Sequence, residues 1–234
     1  MEKCGLLVRG CGDRIRVGRM KKPIVLLGAT GSPKIIAQMK ELGWGMMFCE
    51  TNPKLAYKGM PFALDNGAFM AWKSNKKWNP VPFLRRVQSM QDRSLSPLFV
   101  VAPDLPTKGE TSLLFSVLHH GACPSPVALA VQDGQTFQGV KKVMDQFDYI
   151  FLGGSDAFKL RGRDWCKFSH DHGKKFHFAR ASTIERLEYA IDIGADSLDT
   201  TFPLWTKERL KLYKEVWEHG HPNIRFPFAE RDWE

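Results

Sequence analysis

The chain has 234 residues, 43% of them hydrophobic, and its 34 Lys and Arg against 25 Asp and Glu give a formal net charge of +9. Such a length and apolar content exclude a wholly disordered chain and allow one sizeable core; with no linker, internal repeat or low-complexity tract in view, a single α/β domain over residues 1–234 is the simplest organisation. No apolar run approaches membrane-spanning length, residues 6–8 are too few for a signal peptide, and five scattered cysteines (Cys4, Cys11, Cys49, Cys123, Cys166) suit reduced thiols, so a soluble cytoplasmic protein is expected.

Residues 3–22 open the chain with a basic stretch, Lys3, Arg9, Arg14, Arg16, Arg19, Lys21 and Lys22, against Glu2 and Asp13. A strand is predicted over 23–28, followed by the turn Gly28-Ala29-Thr30-Gly31-Ser32-Pro33, a helix over 34–42 and a strand over 45–49 ending at Glu50. That turn has the look of a dinucleotide-binding opening, but the third glycine of Gly-x-Gly-x-x-Gly is absent; a tight turn, with or without a phosphate at the helix start, accounts for it. Further strands are predicted over 61–65, 98–102, 126–131, 149–153, 175–179 and 197–199, and helices over 81–90, 111–119, 137–147, 183–193 and 207–218. Residues 50–60 and 156–172 lack a clear helical period and read as loops or irregular lids.

Basic residues recur over 159–186, interleaved with Trp165 and Phe168, a mixture that suits a polyanion with bases that stack. Within it Cys166, His170, His172 and His177 are irregularly spaced; they read as surface or phosphate-facing groups, and no metal is expected. His119, His120, His219 and His221 read as helix-end residues.

Strand and helix alternating through eight units imply parallel strands with crossover helices, and eight closes a (β/α)8 TIM-type barrel, compact and irregular at the two weak connections. In such a barrel the C-terminal strand ends share one face, and here those ends carry Asp65, Asp104, Gln132, the pair Gly153 and Gly154, and Asp199. A single acid after a strand is a common turn former. Five strand ends bearing an acid, an amide or a glycine pair point instead to a shared active-site rim.

These segments support a family comparison. Asp65-Asn66-Gly67-Ala68-Phe69 resembles the Asp-Ser-Gly-Gly-Phe segment of tRNA-guanine transglycosylases, and Gly194-Ala195-Asp196-Ser197-Leu198-Asp199 resembles their Gly-x-Asp-x-x-Asp segment. Asp104, Gln132 and Gly153-Gly154 fall between them in family order, so the likeness spans residues 61–203. The resemblance implies Asp199 as nucleophile, Asp65 as general acid and base, Asp104, Gln132, Gly153 and Gly154 as readers of guanine, and Phe69 as its stacking surface. A carboxylate at Asp104 accepts from the ring N–H and exocyclic amine of guanine, a donor pair that adenine lacks on that edge.

Two departures refine the comparison. Residues 200–234 contain no cysteine, so the barrel is expected without the zinc subdomain of that family, and Ala179-Arg180-Ala181-Ser182 stands where the family has Met-Gly-Val-Gly, leaving the partner opposite Phe69 unassigned. A short, basic, zinc-free pattern is more similar to the phage DNA-guanine transglycosylases, the DpdA group. That likeness implies a pentosyltransferase, without cofactor, that replaces guanine in DNA by a 7-deazaguanine such as 7-cyano-7-deazaguanine and works in the host cytoplasm if phage-encoded. Modified DNA of this kind would escape host defences. Arg161 and Arg163, just past the glycine pair, and Lys207 and Arg209, after the nucleophile, are the expected phosphate contacts. The alternatives are tRNA as the polymer, a glycosidase hydrolysing the same bond, and a non-catalytic basic DNA-binding barrel.

Overall fold

In the computed structural model residues 22–220 are described, except 53 and 55; the basic residues 3–21, Cys4, Cys11 and His221 lie outside them. Short apolar runs become eight parallel strands: β1 (Ile24–Gly28), β2 (Gly45–Phe48), β3 (Phe62–Leu64), β4 (Val100–Val101), β5 (Val127–Val131), β6 (Tyr149–Leu152), β7 (Lys175–Phe178) and β8 (Ser197–Thr200). Each pairs with the next, and β1 pairs in parallel with β8 through Leu26 opposite Asp199, which closes the barrel. The expected (β/α)8 architecture is therefore present.

Strand parity divides the core in two. In β5, Val127, Leu129 and Val131 pack outward in the layer between strands and helices, while Ala128 and Ala130 join Leu26, Ala63, Phe99, Val101 and Tyr149 in the interior. Alanines at these inward positions leave space that larger side chains would fill. Lower in the barrel, Phe99 and Tyr149 meet at 4.8 Å between ring centroids and Phe151 stacks on His177 at 4.7 Å, an aromatic layer that floors the upper cavity.

The helices are α1 (Pro33–Glu41), α2 (Ala68–Lys73), α3 (Pro80–Asp92), α4 (Gly109–His119), α5 (Phe137–Lys141), α6 (Asp156–Lys159), α7 (Gly162–Asp171), α8 (Ile184–Asp192) and α9 (Lys207–His219). Their starts follow elementary capping: the side chains of Asn79, Thr136, Ser155, Thr183 and Thr206 accept first-turn N–H groups of α3, α5, α6, α8 and α9. Among the described residues no helix is long and apolar enough to cross a membrane.

Two expectations are corrected here. Residues 156–172 are helical, as α6 and α7, because Gly162, Trp165, Cys166 and Ser169 form a buried stripe at helical spacing that the surrounding charges conceal. The helix expected over 137–147 stops at Lys141 and gives way to a 3-10 turn at Met144–Gln146. Among the described residues of 50–60 there is no helix, as expected from the sequence.

Candidate active site

At the C-terminal ends of the strands lies a cavity of about 330 Å³, lined among others by Asp65, Phe69, Asp104, Gln132, Arg180 and Asp199. Its volume sits at the low end of small-molecule pockets, about 300–1,000 Å³. Asp199 reaches it because inward residues of β8 alternate: Ser197 and Asp199 face the interior, whereas Leu198 packs outward.

The two oxygens of Asp199 differ. Oδ1 accepts from His177 Nε2 at 2.9 Å and from the Arg180 backbone N–H at 3.1 Å, while Oδ2 has no hydrogen-bond partner among the described residues. His177 is fully buried, and its Nδ1 lies 2.9 Å from the Ser197 hydroxyl. Burial lowers the imidazole pKa despite the Asp199 bond. The neutral ring thus donates from Nε2 and accepts the Ser197 O–H at Nδ1. For Asp199 burial is the largest effect and raises its pKa, but the His177 hydrogen bond, the charge of Lys159 and the Arg180 N–H outweigh it and hold the carboxyl below its ordinary value.

Asp65 is held the other way. It follows β3, and one oxygen accepts the Gly67 N–H at 3.0 Å. Burial, aided by the charges of Asp199, Asp104 and Glu50 and opposed by that N–H, raises its pKa to about 7. Gly67 itself has φ 78°, and a Cβ there would strike the Glu50 carboxylate, so the turn that presents Asp65 requires glycine.

Buried Asn66 ties the ends of β3 and β4 together: its Nδ2 donates to the Ala102 carbonyl at 2.7 Å and to Asp104 Oδ1 at 2.8 Å. Burial pushes Asp104 up to about 6, against the hydrogen bonds from Asn66 and Gln132. Gln132 is buried, its Oε1 accepting the Thr107 N–H at 2.6 Å and its Nε2 donating to the Ser112 hydroxyl at 2.7 Å and the Leu105 carbonyl at 3.2 Å. Its amide is committed to neighbours, with Asp104 Oδ2 at 3.3 Å, so it positions Asp104 rather than offering a free donor to a base.

The glycine pair is likewise unequal. Gly153 N–H is bonded to the Val131 and Phe151 carbonyls, whereas Gly154 N–H has no acceptor among the described residues and is the donor of the pair that a ligand oxygen could use. Gly154 has φ 72°, and a Cβ there would come within 2.8 Å of Asp133 Oδ2 and Phe158. Asp133 in turn accepts from the Ser155 N–H at 2.7 Å and hydroxyl at 2.5 Å, fixing the loop after β6.

Phe69 and Trp72 of α2 stand at the mouth, their ring centroids 5.6 Å apart, with Trp72 49% exposed. Arg180 Cζ lies 4.2 Å from the Phe69 centroid, and the guanidinium donates to the Gly154 carbonyl. Behind the wall, Lys159 is buried and donates to the Ala179 carbonyl; burial, then the charge of Arg180, bring it down to about 7.

The expected phosphate contacts are scattered. Arg161 stacks on Phe137 and Arg163 pairs with Asp192 at the start of α7, and neither lines the cavity. Arg209 packs over Phe202 and Trp205 at 4.8 and 4.6 Å, leaving Lys207 as the exposed cation of that pair. Lys207 borders a second cavity, about 520 Å³, between α1 and α9, where Lys34, Lys211 and Lys214 also stand beside Trp205.

His177, Arg180 and Lys159 are the site groups that the sequence reading did not assign. The surface reading of His177 is overturned: it points inward from β7, two residues from Lys175, and strand parity is the signal that could have placed it. His170 binds Asp196 and His172 the Phe168 carbonyl, and no group of three metal-capable side chains gathers among the described residues. No protein-family model matches the chain, and no curated protein matches it.

Proposed function

We propose that this chain is a DNA-guanine transglycosylase that exchanges guanine in DNA for a 7-deazaguanine base through a covalent sugar intermediate on Asp199. What carries the reading is one cavity that brings together Asp199, whose carboxyl is held below its ordinary pKa, and Asp65, whose pKa burial raises to about 7, beside a planar aromatic face at Phe69 and a hydrogen-bonded Asp104. Oδ2 of Asp199 is the oxygen free to attack, since Oδ1 is engaged by His177 and Arg180.

In the first half-reaction Oδ2 bonds to C1′ of the nucleotide as the C1′–N9 bond breaks, and the electron pair left on guanine is neutralised by the Asp65 proton. Guanine leaves and the 7-deazaguanine takes its place. Asp65 then accepts the N9 proton of the incoming base, N9 bonds to C1′, and Asp199 departs as a carboxylate. Two displacements at one carbon retain its configuration, the logic of a retaining glycosidase with a base in place of water. Asp104 would accept from the guanine ring N–H and amine, and Gly154 N–H would donate to its carbonyl.

A base inside a duplex is unreachable, so the guanine must be unpaired or flipped into the cavity, at a cost of about a few kcal/mol. The assay is incorporation of labelled guanine into DNA and, separately, into tRNA. Label entering DNA supports the reading; label entering tRNA alone reassigns the polymer, and hydrolysis without label gain makes the chain a glycosidase.

A further inference from the structure

Among the described residues, Arg180 is the cation lining a cavity that also presents Asp65, Asp104, Asp133, Asp156 and Asp199. Its backbone has φ 58°, a left-handed conformation disfavoured for residues with a Cβ. That conformation splits the residue in two functions: the N–H holds Asp199 Oδ1, while the side chain turns over the cavity onto Phe69.

The guanidinium lies 4.2 Å from the Phe69 centroid. Stacked planes sit about 3.5–4.0 Å apart, so a base inserted between the two groups would need roughly twice that gap. A ring that stacks on this face of Phe69 therefore displaces the guanidinium, which also surrenders its bond to the Gly154 carbonyl. The head of a long side chain can leave without moving the backbone N–H that positions the nucleophile. A nucleotide entering the cavity brings a phosphodiester with it, and the planar fork of arginine matches phosphate oxygens in pairs.

Resting on the transglycosylase reading, we propose that Arg180 is a swinging phosphate ligand: it covers Phe69 in the empty site, yields that face to the base, and takes the phosphodiester beside the flipped nucleotide. Free base then competes with Arg180 for Phe69 and binds weakly until the polymer draws the side chain away. Polymer binding is thereby coupled to opening of the base pocket.

The test uses Arg180→Gly, which accepts the left-handed backbone and keeps the N–H on Asp199, and Arg180→Lys, which keeps charge without the planar fork. Calorimetry with 7-cyano-7-deazaguanine alone should show binding about tenfold tighter to Arg180→Gly than to the wild type. With a single-stranded, guanine-containing oligodeoxynucleotide, the slope of log K against log salt should fall by about 0.7 in Arg180→Gly, the loss of one phosphate contact, and stay unchanged in Arg180→Lys. Equal or weaker base binding by Arg180→Gly, or an unaltered salt slope, overturns the proposal while leaving the exchange reaction standing. Base binding by neither protein overturns both.

Discussion

Asp65 and Asp199 share one cavity, yet their surroundings move their pKa values in opposite directions: Asp199 is held below its ordinary value by the His177 hydrogen bond, Lys159 and the Arg180 N–H, and Asp65 is lifted by burial and three neighbouring acids. Asp199→Asn should leave folding and polymer binding intact while base exchange falls to background and no covalent sugar adduct can be trapped; an adduct that still forms removes Asp199 as nucleophile. In the proposed first half-reaction the acid form of Asp65 is the active one. With its pKa at about 7, kcat/KM for the polymer should therefore hold below pH 7 and fall about tenfold per unit above it. Asp65→Asn should lose that limb along with most turnover. Stability follows the same sign. A folded-state pKa raised from 3.8 to about 7 gives a contribution fully present below about pH 4 and lost as pH rises to 7, so Asp65→Asn should gain on the wild type by a few kcal/mol across that window and no further above it. Denaturant titrations at pH 4, 6 and 8 measure the gain, and a pH-independent difference would deny the burial of Asp65.

At the scale of elements, the barrel was legible because most strands are short apolar runs, and the polar residues at or near their C-terminal ends mark the site: Asp65 after Leu64, Gln132 after Val131 and Asp199 near the end of β8. What escaped was anything defined by a neighbour distant in sequence. His177 becomes a site residue because β7 lies beside β8 and sets its ring 2.9 Å from Asp199, and nothing in Lys175-Phe176-His177-Phe178 names that partner. The stripe of α7 was masked by its charges, and α2 is only 6 residues long, too short for a period to emerge. The β7 to β8 contact carries its own prediction. His177→Phe keeps a ring against Phe99 and Phe151 but removes the donor, and a hydrogen bond to a charged group contributes about 1.5–3 kcal/mol. Turnover should drop roughly 10- to 100-fold with little change in KM for the polymer. Losing the donor also raises the Asp199 pKa, so the acid limb of the pH profile should move to higher pH; a profile that merely scales down would make His177 a packing residue alone.

Across the whole molecule the net charge is +9 while the cavity itself is lined by acids, so in the proposed reaction the polymer would be held outside the pocket that receives its base. Among the described residues, the furrow between α1 and α9 offers cations in the right form: Lys207, Lys211 and Lys214 recur at one-turn spacing on α9, Lys34 faces them from α1, and Trp205 is 62% exposed at the end. Lys214 lies 3.8 Å from Glu218, but Lys207 and Lys211 have no salt-bridge partner among the described residues and can exchange counterions for phosphates, whereas Arg163 is already paired with Asp192 and Arg161 lies on Phe137. Replacing Lys207 and Lys211 by alanine should thus weaken binding of a single-stranded oligodeoxynucleotide and lower its salt slope by about 1.4, roughly 0.7 for each phosphate contact. The preference for guanine over adenine should not change, because Asp104 and Gly154 lie in the other cavity. Arg161→Ala with Arg163→Ala is the internal control, expected to leave the slope where it is. Titrations of both double variants at 50 and 200 mM salt separate the two faces, and a slope lost from the α7 pair but kept by the α9 pair would move the polymer track to the opposite side of the barrel mouth.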